Sequence, residues 1–209
     1  MNSKRSLVRR TAAVAASAVA ALVLAACGGN SDSSAGHDGH SKESPSASAS
    51  ASSQGQQNAA DVAFAKGMIP HHRQAVEMAD LAPSRAGSAE VKALAEQIKK
   101  AQDPEIKTLS GWLTSWGEEV PAEGAMDHSE HGASGMMTAE EMDKLKDSSG
   151  KEFDTAFMEM MIKHHEGAVS MAETEKADGS YEPATKMADA IISSQTAEIT
   201  QMNELLGKN

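Results

Sequence analysis

The chain has 209 residues, a formal net charge of −11 at pH 7 and a sequence pI of about 5.1. A protein this acidic is poorly suited to bind nucleic acid or to grip anionic lipid with a basic face, because both partners are negatively charged. Three Phe, two Trp and one Tyr against thirteen Met predict a core of aliphatic residues and methionine.

The first 26 residues are typical of a secretory signal. Four Lys and Arg residues precede an apolar run, Thr11–Ala26, that is too short for a typical membrane span. The run leads into Leu-Ala-Ala-Cys27, which resembles a bacterial lipobox, and Cys27 is the only cysteine. We therefore expect cleavage before Cys27, lipidation of its thiol, and a mature protein anchored on the outer face of the bacterial cytoplasmic membrane. The cleaved segment carries four positive charges and no acids, so the net charge of −11 becomes −15.

Residues 27–58 predict a disordered tether. Ser, Ala, Gly and Gln dominate this stretch, and no apolar periodicity offsets the entropy cost of ordering it. The tether contains His37 and His40, spaced as His-Asp-Gly-His. These two residues are either a weak metal-binding pair or polar filler, and the sequence leaves both readings open.

From residue 59 to residue 207 the pattern becomes helical and predicts one folded domain. The predicted helices follow the capping residues Asn58, Ser88, Thr138 and Ser180. The first helix is expected to end before Pro83, and Pro104 should bend or split the second. A short helix follows Thr138, and a third long helix covers roughly residues 151–176. No segment is typical of a strand.

One stretch of the sequence occurs twice, 93 residues apart. Residues 61–80 and 154–173 are identical at 11 of 20 positions, and a Gln-x-x-Glu-Ile motif recurs in the helix that follows each copy. Each half, 61–113 and 154–206, is therefore a helical hairpin too small to bury its own apolar stripe. Two such hairpins packed about a pseudo-twofold axis predict an all-α, ferritin-like four-helix bundle with one long crossover, residues 117–150.

Helical geometry places the repeated polar residues on the inner face of the bundle. At 100° per residue, Asp61, His71 and His72 of the first helix fall within about 60° of Met68. On the second helix, Gln102 and Glu105 fall within about 40° of Ile98. Buried polar groups are costly unless they are paired or bind a metal. Two explanations remain: a polar network in which glutamates accept hydrogen bonds from histidines and fix the helix register, or a metal site.

The metal explanation is favoured because the histidines form two adjacent pairs. Each pair has a methionine three residues before and seven residues after its first histidine. The predicted ligands are His71, His72, Met68, Met78, His164, His165, Met161 and Met171. The residues expected to support these ligands are Asp61, Gln102, Glu105, Asp154, Gln195 and Glu198. Thioether sulfur suits Cu(I) or Ag(I) rather than Mg²⁺, Ca²⁺ or Mn²⁺, and imidazole suits both oxidation states of copper, so copper is the predicted cargo, with Cu(I) favoured.

The crossover predicts a second, loop-based metal site. Its Gly/Ser-rich sequence gives no core to fill, so packing should not explain its methionines. The candidate ligands are Met126, His128, His131, Met136 and Met137. The alternative is a crossover that is rich in His and Met by chance.

Other chemistries lack their signatures in this sequence. Met or Ile stands three residues before each bundle histidine, so the Glu-x-x-His motif of diiron bundles is absent. We find no HExxH motif, no zinc-type cysteine cluster, no phosphate-binding Gly loop and no GxSxG elbow. We therefore predict no catalytic residues and no enzyme activity. A metal-dependent oxidoreductase or hydrolase built on the His/Glu core and a metal-free helical interaction module remain as alternatives.

The paired Met-Ile-x-His-His-x-x-Ala-Val-x-Met-Ala segments resemble the DUF305 family over Asp61–Leu206. The resemblance implies a ferritin-like four-helix bundle in an exported or lipid-anchored bacterial protein, with copper binding and copper tolerance in some members. The first copy departs from the second at Gly67 and Arg73, against Met160 and Glu166, so two sites are not expected to be equivalent.

Taken together, the sequence predicts an extracytoplasmic, lipid-anchored protein that binds copper for buffering, tolerance or chaperoning. A metal ion and the membrane are the predicted partners, and nucleic acid is not. The sequence identifies no protein partner.

Overall fold

The computed structural model describes residues 56–123 and 135–208. These residues form an all-α bundle, in agreement with the predicted fold class, and contain no strand; one isolated bridge joins Ala86 and Gly150. The helices are α1 (Ala59–Arg85), α2 (Ala89–Trp116), α3 (Ala139–Asp147), α4 (Gly150–Asp178) and α5 (Glu182–Leu205). None of the helices in the described residues is long and apolar enough to cross a membrane.

Side-chain caps define where three of the helices begin. Asn58 and Thr138 each form a complete capping box, with Asp61 and Glu141 returning the hydrogen bond to the backbone of the cap. Ser88 accepts a hydrogen bond from the backbone N–H of Val91. These three predicted caps are therefore confirmed, whereas α5 follows Tyr181 rather than Ser180.

The prolines interrupt the helices less than the sequence predicts. α1 continues through Pro83 to Arg85, and α2 runs without a break across Pro104. The expected end before Pro83 and a split at Pro104 are therefore wrong. Proline removes one hydrogen bond from a helix, but Leu109 and Leu113 are buried beyond Pro104, and this packing favours a continuous helix.

The two hairpins are related by a pseudo-twofold arrangement. α1 packs along α2, α4 packs along α5, and the hairpins meet through α1 and α4. Near the start of α1, Asp61 reaches the α4–α5 turn, while its twin Asp154 on α4 reaches the α1–α2 turn. This reciprocal contact shows that α1 and α4 are antiparallel.

A layer of polar side chains divides the core at mid-length. The buried apolar residues form two clusters, one towards each end of the bundle. Between the two clusters lies what we call the histidine layer: His71, His72, Gln102, Glu105, His164, His165, Gln195 and Glu198. In the repeat, each half supplies four of these residues at matching positions.

Residues 135–137 of the crossover contact the bundle directly. Gln74 donates a hydrogen bond to the carbonyl of Met137 over 2.9 Å and accepts one from its N–H over 2.7 Å. Gly135, with φ of +90°, lies so close to the carbonyl of Lys163 that a β-carbon would collide with it. These contacts place residues 135–137 against α1 and against the turn of α4 that contains His164.

Candidate metal centre

Two pairs of histidines meet across the α1/α4 interface. His71, His72, His164 and His165 all have 0% relative exposure. The ring centroids of His71 and His164 are 3.8 Å apart, at an interplanar angle of 44°. The centroids of His164 and His165 are 6.4 Å apart. The structure therefore places the rings of His71, His164 and His165 close together at this interface, and the closest pair takes one ring from each half.

The outer histidine of each pair is held by a glutamate of its own hairpin. His72 Nε2 lies 2.8 Å from Glu105 Oε2, and His165 Nε2 lies 2.6 Å from Glu198 Oε2. A neutral ring in this position donates its Nε2 hydrogen to the carboxylate, which places the lone pair on Nδ1. The Nδ1 atoms of His72 and His165 are buried and have no hydrogen-bond partner within the described part of the chain.

His164 differs from these two rings because no side chain among the described residues is hydrogen-bonded to either of its nitrogens. Burial, followed by the nearby rings of His71, His165 and His72, holds the pKa of His164 well below its ordinary value, against the smaller, opposite effect of the His71 backbone. The ring is therefore neutral at physiological pH, which is the form in which imidazole binds a metal. A buried imidazole without partners is costly, so a ligand at this position would stabilise the fold.

The two repeated glutamines add further unsatisfied groups to the histidine layer. Gln102 is 2% exposed and Gln195 is 3% exposed. Both amide atoms of Gln102 and the Oε1 atom of Gln195 lack a partner in residues 56–123 and 135–208. They lie at the predicted positions, one helix turn before the two glutamates that hold the histidines.

The four predicted methionine ligands separate towards the two ends of the layer. Met68 is buried in one core cluster and Met171 packs against the same cluster, while Met78 and Met161 are buried together in the other. Each thioether pair thus takes one methionine from each half. Gly67 contributes to this arrangement, because a β-carbon on it would lie 2.9 Å from the Met171 methyl group.

Asp61 and Asp154 lie away from the histidine layer. Each is ten residues before the first histidine of its helix, which is about 15 Å along the axis. Asp61 accepts N–H bonds from Asn58, Ser180 and Tyr181, and Asp154 accepts them from two successive residues of the α1–α2 turn. These two carboxylates therefore cap the turn of the opposite hairpin and do not support the ligands of the histidine layer.

Several predicted residues fall outside the described residues: Cys27, His37, His40, Met126, His128 and His131. The signal segment and nearly all of the tether also lie there. Of the described crossover methionines, Met136 is half-buried and Met137 is 3% exposed within the core. The argument that packing cannot explain the crossover methionines is therefore wrong for Met137.

Sequence reasoning missed two buried residues, Glu175 and Gln74. Glu175 is 1% exposed on α4, at about −40° from Met161 by helical geometry, so the calculation that found the histidines would also have placed it inside. The equivalent position in the first half is Ala82, so a comparison of the two repeats does not single out Glu175 as a conserved polar position. Gln74, at about −120° from Met68, gives no comparable signal.

Within the described residues, no group of three or more His, Cys, Asp or Glu side chains is arranged to hold a metal ion. The imidazole rings of His71 and His164 are the pair that lies closest in the histidine layer, and thioether side chains are buried towards either end of the layer. Thioether is a soft donor, and imidazole suits copper in both oxidation states.

The fold and the histidine layer define a class of protein: a duplicated four-helix bundle with a histidine pair at the contact between its halves. The sequence profile of DUF305, a domain of unknown function, matches residues 61–206, and the chain belongs to the DUF305 family. No curated protein matches the sequence.

Solved structures similar to this chain have the same fold. A DUF305 protein from Streptomyces coelicolor is 33% identical, with a TM-score of 0.65, and the match covers 71% of this chain and 93% of that one. CopM in its Cu(II)-bound form is 38% identical, with a TM-score of 0.61, over 69% of this chain and 94% of that one. CopM has also been solved in Cu(I)-bound and Ag-bound forms; the Cu(I)-bound form is 36% identical, with a TM-score of 0.58, over the same shares of the two chains.

Proposed function

We propose that this protein binds Cu(I) as cargo in the histidine layer, with Cu(II) and Ag(I) as further candidates, and serves copper buffering, tolerance or chaperoning outside the cytoplasm. The observation that carries the proposal is the ring of His164, buried without a side-chain hydrogen-bond partner among the described residues and 3.8 Å from the ring of His71. Lipid attachment at Cys27 remains a prediction.

The donors fit a soft ion better than a hard one. The carboxylates of Glu105 and Glu198 are engaged by imidazole nitrogens, so the layer offers nitrogen lone pairs in preference to oxygen atoms. Buried thioethers on both sides of the layer would suit Cu(I) and Ag(I). CopM, a similar protein solved with these metals, supports the same assignment.

The two glutamates should act as positioning residues for the metal. We expect Glu105→Ala and Glu198→Ala each to weaken Cu(I) binding about 10-fold to 100-fold, because loss of the acceptor frees the tautomer and orientation of the ligating ring. Glu105→Gln keeps an acceptor oxygen and should lose less. A competition titration against a Cu(I) chelator measures these changes.

The matched control is Glu140→Ala, which removes an exposed carboxylate that pairs with Lys144 on α3. It should leave the affinity unchanged. If the variants at residues 105 and 198 bind Cu(I) as tightly as this control, the glutamates serve only the register of the helices.

A further inference from the structure

We propose that Asp61 and Glu175 form a proton-operated latch, which holds the segment leading into α1 against the α4–α5 turn and loosens when Glu175 loses its proton. The pair lies at one end of the bundle, outside the histidine layer. This inference does not depend on metal binding.

Asp61 is the fixed half of the latch. Its carboxylate accepts N–H bonds from Asn58 at 2.6 Å, Ser180 at 3.1 Å and Tyr181 at 3.0 Å, and the hydroxyl of Ser180 lies 3.2 Å away. Burial alone would raise the pKa of Asp61, but the N–H group of Asn58, the hydrogen bond from Glu175 and the N–H groups of Tyr181 and Ser180 together lower it. Asp61 is therefore ionised at neutral pH.

Glu175 is the half that titrates. Its side chain is buried, and no N–H group in the described residues reaches either carboxyl oxygen. Its carboxyl lies against Gly179, where a β-carbon would collide with it, and Gly179 directly precedes Ser180, whose N–H is bonded to Asp61. In this position Glu175 can donate a hydrogen bond to the Asp61 carboxylate only while it is protonated. Burial, followed by the hydrogen bond to Asp61 and the charge on Asp61, raises the pKa of Glu175 to about 8.

No cation faces Glu175 from the elements around it in the described structure. α1 contributes Asp61, and the turn contributes Tyr181, whose N–H bonds to Asp61. The other charged groups of this region are directed to the surface. They are Lys176 with Asp189, Lys186 with Glu182, Lys66 with Glu118, and the exposed Asp178. Ionisation of Glu175 therefore places two carboxylates side by side with no cation facing them among the described residues.

The latch connects the segment before α1, the first turn of α1 and the α4–α5 turn. The hydroxyl of Ser180 lies 2.8 Å from the carbonyl of Gln56, and the Asn58 side chain donates to the carbonyl of Asp178. Gln56 and Asn58 are the residues through which the predicted tether enters α1. Repulsion between Asp61 and Glu175 would thus be felt where the tether joins the domain.

The second half of the protein contains a built-in control. Asp154 caps the α1–α2 turn as Asp61 caps the α4–α5 turn, but the position equivalent to Glu175 is Ala82. One turn therefore has a titrating partner and its twin has none. A pH response of the latch should appear at Ser180 and Tyr181 and be absent at Gly87 and Ser88.

Amide hydrogen exchange of the whole protein between pH 6 and 9.5 tests the proposal, with rates corrected for the intrinsic effect of pH. We expect protection of the Ser180 and Tyr181 amides, relative to the Gly87 and Ser88 amides, to fall at least about 10-fold between pH 7 and 9. Glu175→Gln and Glu175→Ala, the latter copying Ala82, should abolish this change. A constant ratio in the unaltered protein, or the same fall in Glu175→Gln, would overturn the latch.

A second measurement needs no variant. The carboxyl carbon resonance of Glu175 should titrate with a midpoint above pH 7, near its pKa of about 8. A midpoint near the ordinary value of 4.5 would show that the proton is already lost at neutral pH and would also overturn the proposal.

Discussion

Replacing Asp61 by alanine is expected to lower the free energy of unfolding by about 3 kcal/mol. A buried donor left without a partner costs about 1–3 kcal/mol, and the three donors concerned are partly buried, so each is expected to cost an amount at the low end of this range. Three backbone N–H groups, those of Asn58, Ser180 and Tyr181, lose their acceptor. The substitution also removes the charge beside Glu175, which offsets part of the loss. Urea unfolding at pH 7 measures the change.

The twin substitution provides the comparison. Asp154→Ala leaves two N–H groups, those of Gly87 and Ser88, without an acceptor. It should lower the free energy of unfolding by about 2 kcal/mol on the same scale. If either aspartate could be replaced with a loss below about 0.5 kcal/mol, the turns would not depend on these caps, and a role for Asp61 and Asp154 nearer the metal would have to be reconsidered.

Replacing His164 by leucine should have opposite effects on the metal-free and the copper-loaded protein. The metal-free protein should gain about 1–2 kcal/mol of stability, because a ring with two unsatisfied buried nitrogens is exchanged for an apolar side chain of similar size. The rise in melting temperature on adding Cu(I) should shrink or disappear, since a ligand that binds only the folded state stabilises it in proportion to its affinity. Thermal unfolding with and without Cu(I) measures both effects.

His165→Leu is the matched control for the stability effect. Its Nε2 is engaged by Glu198, so its loss leaves a partly buried carboxylate without its partner and should destabilise the metal-free protein by about 1–2 kcal/mol. A metal-free interaction module predicts a different pattern. In that account the histidines serve packing and register, His164→Leu is destabilising, and Cu(I) stabilises neither protein.

The repeat made most of the fold predictable from sequence. The caps Asn58, Ser88 and Thr138 each mark a helix start, and the 93-residue offset fixes which helices are twins. The angular positions of His71 and Gln102 placed them inside, where the structure has them. The pairing of His72 with Glu105 follows from the same geometry, because both residues occupy the seam of one hairpin.

The remaining features depend on contacts between elements distant in sequence. No local pattern indicates that Gln74 would hold the backbone of Met137, or that Asp61 would cap a turn 119 residues away. Propensity rules also overestimated the effect of Pro104, because tertiary packing outweighs one lost helical hydrogen bond. The assignment of methionines to opposite ends of the histidine layer required the antiparallel contact of α1 and α4.

The most direct test of the copper proposal is a Cu(I) competition titration of residues 56–209, a segment that omits most of the tether and keeps Asn58 as the cap of α1. It should be run beside a variant in which His71, His72, His164 and His165 are alanine. The proposal predicts tight binding by the first protein and a loss of at least about 100-fold in the variant, since these rings supply the nitrogen donors. Equal affinity in a folded variant would contradict it, and would move copper binding to the His- and Met-rich crossover.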